Sequence, residues 1–145
     1  MNRTAICVRL PHAEGMCLLE RLAQWDSDSI VCFATSHRDA DNPLRAAGRL
    51  HAVTGVEYAA QAMALHSNLL AASDTLPTRG YLASVRDLKF GVEVLDMLAE
   101  DLHITARRLG GDTTGFIYEF EIRAAARLVL SGRLAAKLLT AGEMA

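Results

Sequence analysis

Three side chains suited to proton transfer or charge binding lie close together in the middle of the chain. Arg49 and His51 come just before a segment typical of a helix, and Glu57 lies in its first turn. A histidine titrates near neutral pH and suits a general base, whereas a carboxyl group in an apolar pocket suits a general acid. An arginine stays protonated, so it can bind an anion but cannot take a proton. This stretch is therefore the first candidate for acid–base chemistry, although His51 could equally make a local hydrogen bond in a loop.

The helix that must position Glu57 is predicted from about Thr54 to about Ala72. The segment is rich in good helix formers and has no glycine or proline after Gly55. Thr54 followed by Glu57 fits a capping box, so a capping role and an acid role for Glu57 both stay open. One face is polar or small while the rest is apolar, which is typical of a buried helix with one special side. That face carries Glu57, Ala60, Gln61, Ala64 and Asn68.

Strands are predicted on both sides of this helix. Residues 16–22 and 29–35 read as two strands before it, joined by a polar connection. Period-2 patterns follow at residues 80–90, 102–109 and 116–122, with a hairpin turn at residues 110–115. The last segment, residues 126–139, is compatible with strand or helix, and Ser131-Gly132 favours a bulged strand. The pattern predicts an α+β fold with one helix and an antiparallel sheet.

Length and composition narrow the class of protein. The 145 residues indicate a single domain over residues 1–145, and the positive mean hydropathy leaves room for an apolar interface or tunnel. A net charge of −2 with scattered arginines argues against nucleic-acid binding, and no apolar run is long enough to span a membrane. The N-terminal residues lack the pattern of a signal peptide, so we expect a cytoplasmic protein.

Cysteines and the remaining histidines are assigned structural roles. The three cysteines, at 7, 17 and 32, show no metal-ligand spacing, so we expect reduced, mostly buried thiols and no metal site. His66 lies on the helix side opposite Glu57, which favours a place in the core. For His12 a structural role is favoured, and His37 and His103 belong to no motif.

Several segments, in matching order, resemble the 3-hydroxyacyl-carrier-protein dehydratases. Residues 10–12 (L-P-H) and 17–22 (C-L-L-E-R-L) resemble the family's opening L-P-H and L-L-x-D-R-V. Residues 57–62 (E-Y-A-A-Q-A) resemble the E-A-x-A-Q of its central helix, and residues 80–85 with 89–90 resemble its Y-L-A-x-I and R-F strand. The resemblance covers most of the chain and implies the hotdog fold, in which a curled antiparallel sheet wraps one long helix.

Within that family, the subgroup associated with aryl-polyene pigment clusters resembles this chain in particular. Its members are typified by G-R-L followed by G-[IV]-E-Y-A-A-Q-A-M-A, and residues 48–64 follow that pattern. The resemblance implies loss of water from a 3-hydroxyacyl chain carried on the phosphopantetheine arm of acyl carrier protein, with no other cofactor. It also implies a pocket at the interface of a homodimer, or of a heterodimer with another hotdog subunit.

The resemblance also assigns roles to individual residues. Glu57 would be the acid and His51 the base, and backbone amides near Gly55 and Val56 would hold the thioester oxygen, with Gln61 in the polar network of the pocket. In the family, the loop before the helix reads G-H-F-P and then P-x-M-P-G, and its histidine is the base. Here residues 42–55 are shorter, and Arg49 falls at the place of that histidine, where it would contact substrate rather than take a proton.

This departure keeps two other functions open. The chain could be a non-catalytic subunit that pairs with a dehydratase carrying the intact loop. It could also be a hotdog thioesterase, in which Glu57 would activate water for hydrolysis.

Overall fold

The computed structural model describes residues 1–10, 15–71 and 80–138. They form a short helix α1 and a long helix α2, with six strands numbered in chain order. The helices are α1 (Arg3–Cys7) and α2 (Gly55–Leu70). The strands are β1 (Arg21–Trp25), β2 (Ser29–Ala34), β3 (Gly80–Phe90), β4 (Leu102–Gly111), β5 (Gly115–Ala124) and β6 (Arg127–Leu138).

The six strands make one antiparallel sheet in the order β1-β2-β4-β5-β6-β3. Helix α2 lies on its inner face, where alternate residues of β2, β4 and β5 are buried. Tyr58, Ala62 and Leu65 of the helix are fully buried in the same core. This helix wrapped by a sheet is the α+β hotdog arrangement predicted from the sequence. No helix in the described ranges is long and apolar enough to cross a bilayer.

The first strand lies further along the chain than predicted. Residues 16–20 are irregular, and β1 begins at Arg21. Leu18 and Leu19 are both buried, so the segment does not alternate as a half-buried strand would. The reason is a long-range contact, because the Leu18 N–H donates to the side chain of Gln61 rather than to a neighbouring strand.

The last segment is strand β6, as favoured, but the bulge belongs to the strand beside it. Arg86 pairs with Arg133 and Lys89 pairs with Ser131, so two β3 residues, Asp87 and Leu88, oppose the single residue Gly132. Asp87 has φ of 55°, the left-handed region that relieves such an insertion. A side chain at Gly132 would meet the Leu88 side chain at 2.8 Å, so the glycine in β6 accommodates a bulge in β3.

The cysteine prediction is wrong for two of the three thiols. Cys7, at the end of α1, and Cys17 form a disulfide with their Cα atoms 5.7 Å apart. The two cysteines are ten positions apart in sequence, and that spacing alone does not reveal that they pair. Cys32 is a buried free thiol, as expected, and burial raises its pKa to about 12.

Candidate active site at the start of the long helix

Helix α2 begins at Gly55 after a 3₁₀ turn, Ala52–Thr54. The predicted capping box does not form. Thr54 has helical backbone angles, and its Oγ1 donates back to the His51 carbonyl oxygen at 2.6 Å instead of accepting from the helix. The 3₁₀ turn continues directly into the helix, so the Thr54 side chain does not supply the N-cap contact that a capping box requires.

Gln61 lies one helical turn after Glu57 and connects the polar face of α2 to residues 16–18. Its side chain is fully buried, and its Oε1 accepts the Leu18 N–H at 2.8 Å. Its Nε2 donates to the Met16 carbonyl oxygen at 2.6 Å and to Glu57 Oε1 at 3.3 Å. Since an N–H must donate to Oε1, the amide has one orientation, and its NH₂ group must face Glu57.

Glu57 borders two cavities on the described part of the molecule. The first, of about 170 Å³, runs along the helix beneath β3, β5 and β6. Its residues are Glu57, Ala60, Met63, Ala64, Ser67, Gly80, Tyr81, Leu82, Phe116, Ala136 and Leu138. The second, of about 420 Å³, opens beside the helix N-terminus and is otherwise almost wholly apolar. Its residues are Leu44, Val53, Thr54, Val56, Glu57, Val85 and Leu88.

The two cavities have Glu57 in common, so one carboxyl group borders two largely apolar spaces, which we refer to together as the passage. Glu57, Ala60, Ala64 and Ser67 share one helix face because their spacing follows the helical repeat. Small side chains at Ala60 and Ala64 leave the space that the first cavity occupies. We call these two cavities the inner cavity (toward Phe116) and the outer cavity (at the helix N-terminus).

A buried hydrogen-bond network holds the loop that leads to the helix. Ser36 Oγ donates to the Leu18 carbonyl oxygen at 2.8 Å and therefore accepts from the Tyr58 hydroxyl, also at 2.8 Å. Asn42 donates to the Tyr58 hydroxyl and to the Ser36 carbonyl oxygen. Burial raises the pKa of Tyr58 above its usual range, so the hydroxyl stays protonated and can donate as this network needs.

Arg49 and His51 lie on the outside of this loop. Arg49 pairs with Asp96 at 2.9 Å, and the other Asp96 oxygen accepts the Leu50 N–H at 2.8 Å. Ala47 and Gly48 both have positive φ, so residues 46–49 form a tight two-residue turn that presents Arg49 to Asp96. Arg49, which the sequence placed at the site, thus joins its own loop to the loop that carries Asp96.

His51 is exposed, and it lines neither the inner nor the outer cavity. Its backbone bridges to Val94, and its carbonyl oxygen accepts from Thr54. The next residues along the chain, Val53 and Thr54, line the outer cavity. His51 is therefore next to the outer cavity along the chain but does not line it.

Gly55 and Val56, whose amides were expected to hold the thioester oxygen, differ in their surroundings. Gly55 is buried, and a side chain there would meet Leu130 at 2.8 Å and Ile122 at 3.2 Å. Its N–H already donates to the Ala52 carbonyl oxygen within the 3₁₀ turn. Val56 is half-buried and lines the outer cavity. That the amides of both hold a thioester oxygen stays a prediction, and Gly55 would have to release Ala52 to take part.

Sequence reasoning missed the residues that support the candidate site from a distance. Asp96, Met16 and Ser36 belong to no motif, and Leu18 was assigned only to a motif and a strand, since each acts through a contact with a distant part of the chain. The Ala47-Gly48 turn was not predicted, although a small residue followed by glycine suits positive φ and could have indicated it. His66 is fully buried, as predicted, and His37 is buried too. His12 lies outside the described residues, which contain no cluster of side chains suited to a metal ion.

Comparisons with known proteins agree with the architecture. In the dehydratase heterocomplex ApeI:P from Xenorhabdus doucetiae, one chain matches with a TM-score of 0.85 at 24% identity, over 96% of this chain and 93% of that one. A mutant thioesterase from Pseudomonas aeruginosa matches with a TM-score of 0.65 at 15% identity, over 96% and 94%. AziG from S. sahachiroi matches with a TM-score of 0.63 at 20% identity, over 90% and 98%.

At these identities the structural matches show the hotdog fold alone. Among curated proteins, none matches the chain in sequence. The family model for ApeP-like proteins, described as ApeP dehydratase, matches residues 4–138. The chain therefore belongs to the ApeP-like dehydratase family.

Proposed function

We propose that this chain takes part in eliminating water from 3-hydroxyacyl thioesters carried on the phosphopantetheine arm of acyl carrier protein. The main support is the position of Glu57, whose side chain borders both cavities of an apolar passage at the start of a buried helix. Such a passage suits an acyl chain, and a carboxyl group that borders both of its cavities suits proton transfer to a leaving hydroxyl.

In the proposed reaction, a base removes a proton from the carbon next to the thioester carbonyl. The electron pair forms the new double bond as the bond from the third carbon to its hydroxyl oxygen breaks. Glu57 gives that oxygen a proton, so it leaves as water and the product is the trans-2-enoyl thioester. Backbone amides near Val56 would stabilise the negative charge that develops on the carbonyl oxygen.

Gln61 supports Glu57 as a proton donor. Its fixed NH₂ group donates to Glu57 Oε1, so that oxygen acts as an acceptor. When Glu57 is protonated, the proton must then lie on Oε2. The contact at 3.3 Å is long, but both of the remaining Gln61 contacts are buried or half-buried backbone groups, so the amide cannot turn away without leaving them unpaired.

A second hotdog subunit is part of the proposal. Within the described residues β3 pairs only with β6, so its other edge is open. Large apolar side chains at this edge and beside the outer cavity are exposed, which is unfavourable for an isolated chain. They are Val53, Tyr81, Leu82, Val85 and Phe90. A second subunit placed here would cover them and close the open side of the passage.

The base can come from either subunit. In a homodimer, His51 of one chain would serve the Glu57 of the other, in keeping with its exposed position. A second candidate function follows from Arg49, which occupies the expected place of the base but is paired with Asp96. In this alternative, the chain pairs with an unlike dehydratase subunit whose histidine serves Glu57, and His51 is not needed.

The test uses the purified chain, alone and after co-expression with a hotdog dehydratase from the same gene neighbourhood. Each preparation is mixed with 3-hydroxyacyl carrier protein, and enoyl and free-acid products are measured by mass spectrometry. We expect Glu57→Gln to lower the rate by roughly 10²–10⁴-fold, the usual contribution of a positioned acid or base. Glu93→Gln, at an exposed position, is the matched control and leaves the rate unchanged.

The variant His51→Gln separates the two candidates. A comparable loss of rate in the chain alone assigns the base to His51, whereas an unchanged rate in the complex assigns it to the other subunit. Absence of enoyl product in both preparations contradicts the proposal. Release of free acid without enoyl product supports a thioesterase instead.

A further inference from the structure

An aromatic ring lines the inner cavity toward the C-terminal half of α2. Gly55 lies against Ile122 of β5 whereas His66 contacts Tyr118, so β5 runs antiparallel to the helix and Phe116 follows beyond Tyr118. Phe116 of β5 lines this cavity and is only 7% exposed. Ser67, which also lines it, lies ten residues after Glu57 on the helix, and ten residues of α-helix span about 15 Å. Any chain that enters past Glu57 and follows the small-residue face of α2 therefore approaches Phe116.

Other aromatic rings hold Phe116 from behind. Its ring meets Tyr118 edge to face, with centroids 5.7 Å apart at 79°. The Tyr118 hydroxyl lies 2.5 Å from His66 Nδ1, while His66 Nε2 lies 2.7 Å from the Asp26 carbonyl oxygen. A carbonyl can only accept, so His66 Nε2 donates to it, and the other ring nitrogen is hydrogen-bonded to the Tyr118 hydroxyl. Burial raises the pKa of Tyr118 to about 12, so its hydroxyl stays protonated at physiological pH.

An arginine holds the same ring from the neighbouring strand. The guanidinium carbon of Arg108 lies 5.6 Å from the Phe116 centroid, within the range of a cation–π contact. Gly111 pairs with Phe116 in the sheet, and a side chain there would meet Arg108 at 2.6 Å and Phe116 at 2.7 Å. The absence of a side chain at Gly111 is thus what lets arginine and phenylalanine approach each other.

We propose that Phe116 sets the length of acyl chain that the site accepts, as a fixed wall at the end of the inner cavity. This inference rests on the proposed function, because it takes the inner cavity as the place of the acyl chain. The ring is fastened by Tyr118 and Arg108, so it cannot swing aside for a longer chain as the flexible Met63 of the same cavity can. The size limit is therefore sharp rather than gradual.

The size of the cavity sets the scale of the limit. About 170 Å³ holds on the order of six carbon-sized groups, taking about 30 Å³ for a group the size of water. Each methylene that finds room contributes about 0.8 kcal/mol, or a roughly fourfold gain in affinity. Affinity is expected to rise by that factor per methylene and then level off once the chain reaches Phe116.

Binding measured by calorimetry tests this without requiring turnover. The probes are saturated acyl-pantetheines of increasing length, titrated into the full chain and, where it forms one, its complex. In Phe116→Ala we expect the rise to continue for roughly two or three further methylenes, each about 1.2 Å long in an extended chain. Phe116→Leu keeps more of the side-chain volume and extends the series by less, so it decides the matter if the alanine variant fails to fold.

Phe120→Ala is the matched control. Phe120 lies on the same strand, faces inward and is 4% exposed, but it does not line the inner cavity. The Phe120→Ala variant should lose stability as Phe116→Ala does, while its limit on acyl-chain length stays that of the wild type. An unchanged limit in both Phe116 variants, or the same shift in the Phe120 variant, overturns the inference.

Turnover separates this inference from the proposed function. A length limit that moves in the Phe116 variants of a protein without dehydratase activity supports the inference and removes the function. Dehydration with an unmoved limit supports the function and removes the inference. Failure of every acyl-pantetheine to bind wild-type protein removes the inference as well.

Discussion

Replacing Gln61 by leucine tests whether one buried amide fastens residues 16–18 to the long helix. Leucine fills similar space, so little of the cost comes from a cavity. The cost comes from the Leu18 N–H and the Met16 carbonyl, which lose their partner at 2.8 Å and 2.6 Å. Both backbone groups bond to the side-chain amide of α2 that the substitution removes.

The expected loss follows from the burial of these two groups. A buried polar group left without a partner costs about 1–3 kcal/mol. Leu18 is fully buried, whereas Met16 is half-buried and can regain water. We therefore expect the free energy of unfolding to fall by roughly 2–4 kcal/mol. For a chain of this size that corresponds to a fall in Tm of roughly 6–12 °C.

Urea unfolding followed by circular dichroism measures this loss, and an unchanged slope shows that the unfolded state is the same. Gln24→Leu, at an exposed position of β1, is the matched control and should change stability by less than about 0.5 kcal/mol. If Gln61→Leu and Gln24→Leu cost the same, the amide does not anchor the segment and the reasoning is refuted.

A carboxylate at the same position gives an independent check. Gln61→Glu keeps an acceptor for the Leu18 N–H but places a second negative charge beside Glu57. Two close carboxylates cannot both ionise easily, so the folded-state pKa of the pair is raised above the unfolded value. The destabilisation is then present at neutral pH and relieved as pH falls through that raised pKa. Thermal unfolding between about pH 7 and pH 5 measures it, and a loss independent of pH contradicts the proposed proximity.

Three further predictions concern the loops and turns around the site. Reduction of the Cys7–Cys17 disulfide, or serine at both positions, should lower stability by about 3 kcal/mol for a loop of this length, and a reductant should lower the Tm of wild type only. Gly111→Ala should cost about 1–3 kcal/mol because its methyl group meets neighbours below 3 Å, whereas Gly110→Ala, with open space around it, should be close to neutral in thermal unfolding. Burial tends to raise the pKa of Asp96, but hydrogen bonds from Leu50 and Arg49 outweigh it and keep that pKa below its usual value. The stability that ionised Asp96 contributes is therefore present above the pKa of the unfolded state and is lost as pH falls through the pKa of the folded state. Acid titration of Asp96→Asn should therefore show a shallower loss of stability below about pH 4 than wild type, and an identical profile would contradict this.

The helix and the later strands were predictable because their signals are local. Residues 55–70 combine helix formers with an apolar pattern around most of the circumference, and such a run has few alternatives. Strands β3, β4 and β5 alternate over many residues between turn signals. Order along the chain then supplied the hotdog arrangement through family resemblance, since pattern alone allowed several α+β folds.

Most departures from the sequence-based expectations involve long-range contacts, and Thr54 is the exception because its partner His51 lies only three residues away. The segment at residues 16–20 has the composition of a strand, but the Leu18 N–H and the Met16 carbonyl oxygen bond to Gln61, which is 43 residues from Leu18 in sequence. Thr54 has the spacing of a cap, but the preceding turn redirects its hydroxyl to His51. The Arg49 side chain finds Asp96, 47 residues away. Local propensity does not contain information about partners at such distances.

The same distinction applies to Glu57 and His51, the residues proposed as acid and base. Glu57 lies on a helix whose position is set by the core, and its carboxylate is steadied within the chain through Gln61. His51 lies on an exposed turn, and no core contact directs its side chain toward a cavity of its own subunit. The position of the proposed acid is thus fixed within one chain, whereas the proposed base would have to act on the site of a second chain.

A chain arranged in this way is suited to sharing an active site with a second subunit. It brings the inner cavity, the carboxyl group and the amide that steadies it, all fixed by its own core. The apolar β3 edge and the open outer cavity are left for a second subunit to cover, and burial of the apolar side chains at that edge would favour such pairing. Because the edge and the outer cavity share Val85, covering one also closes the other. Pairing and enclosure of the substrate are therefore expected to occur together, so a charge at Val85 (Val85→Asp) should weaken subunit association and enoyl formation in parallel, measured by sedimentation and by product analysis on the same samples.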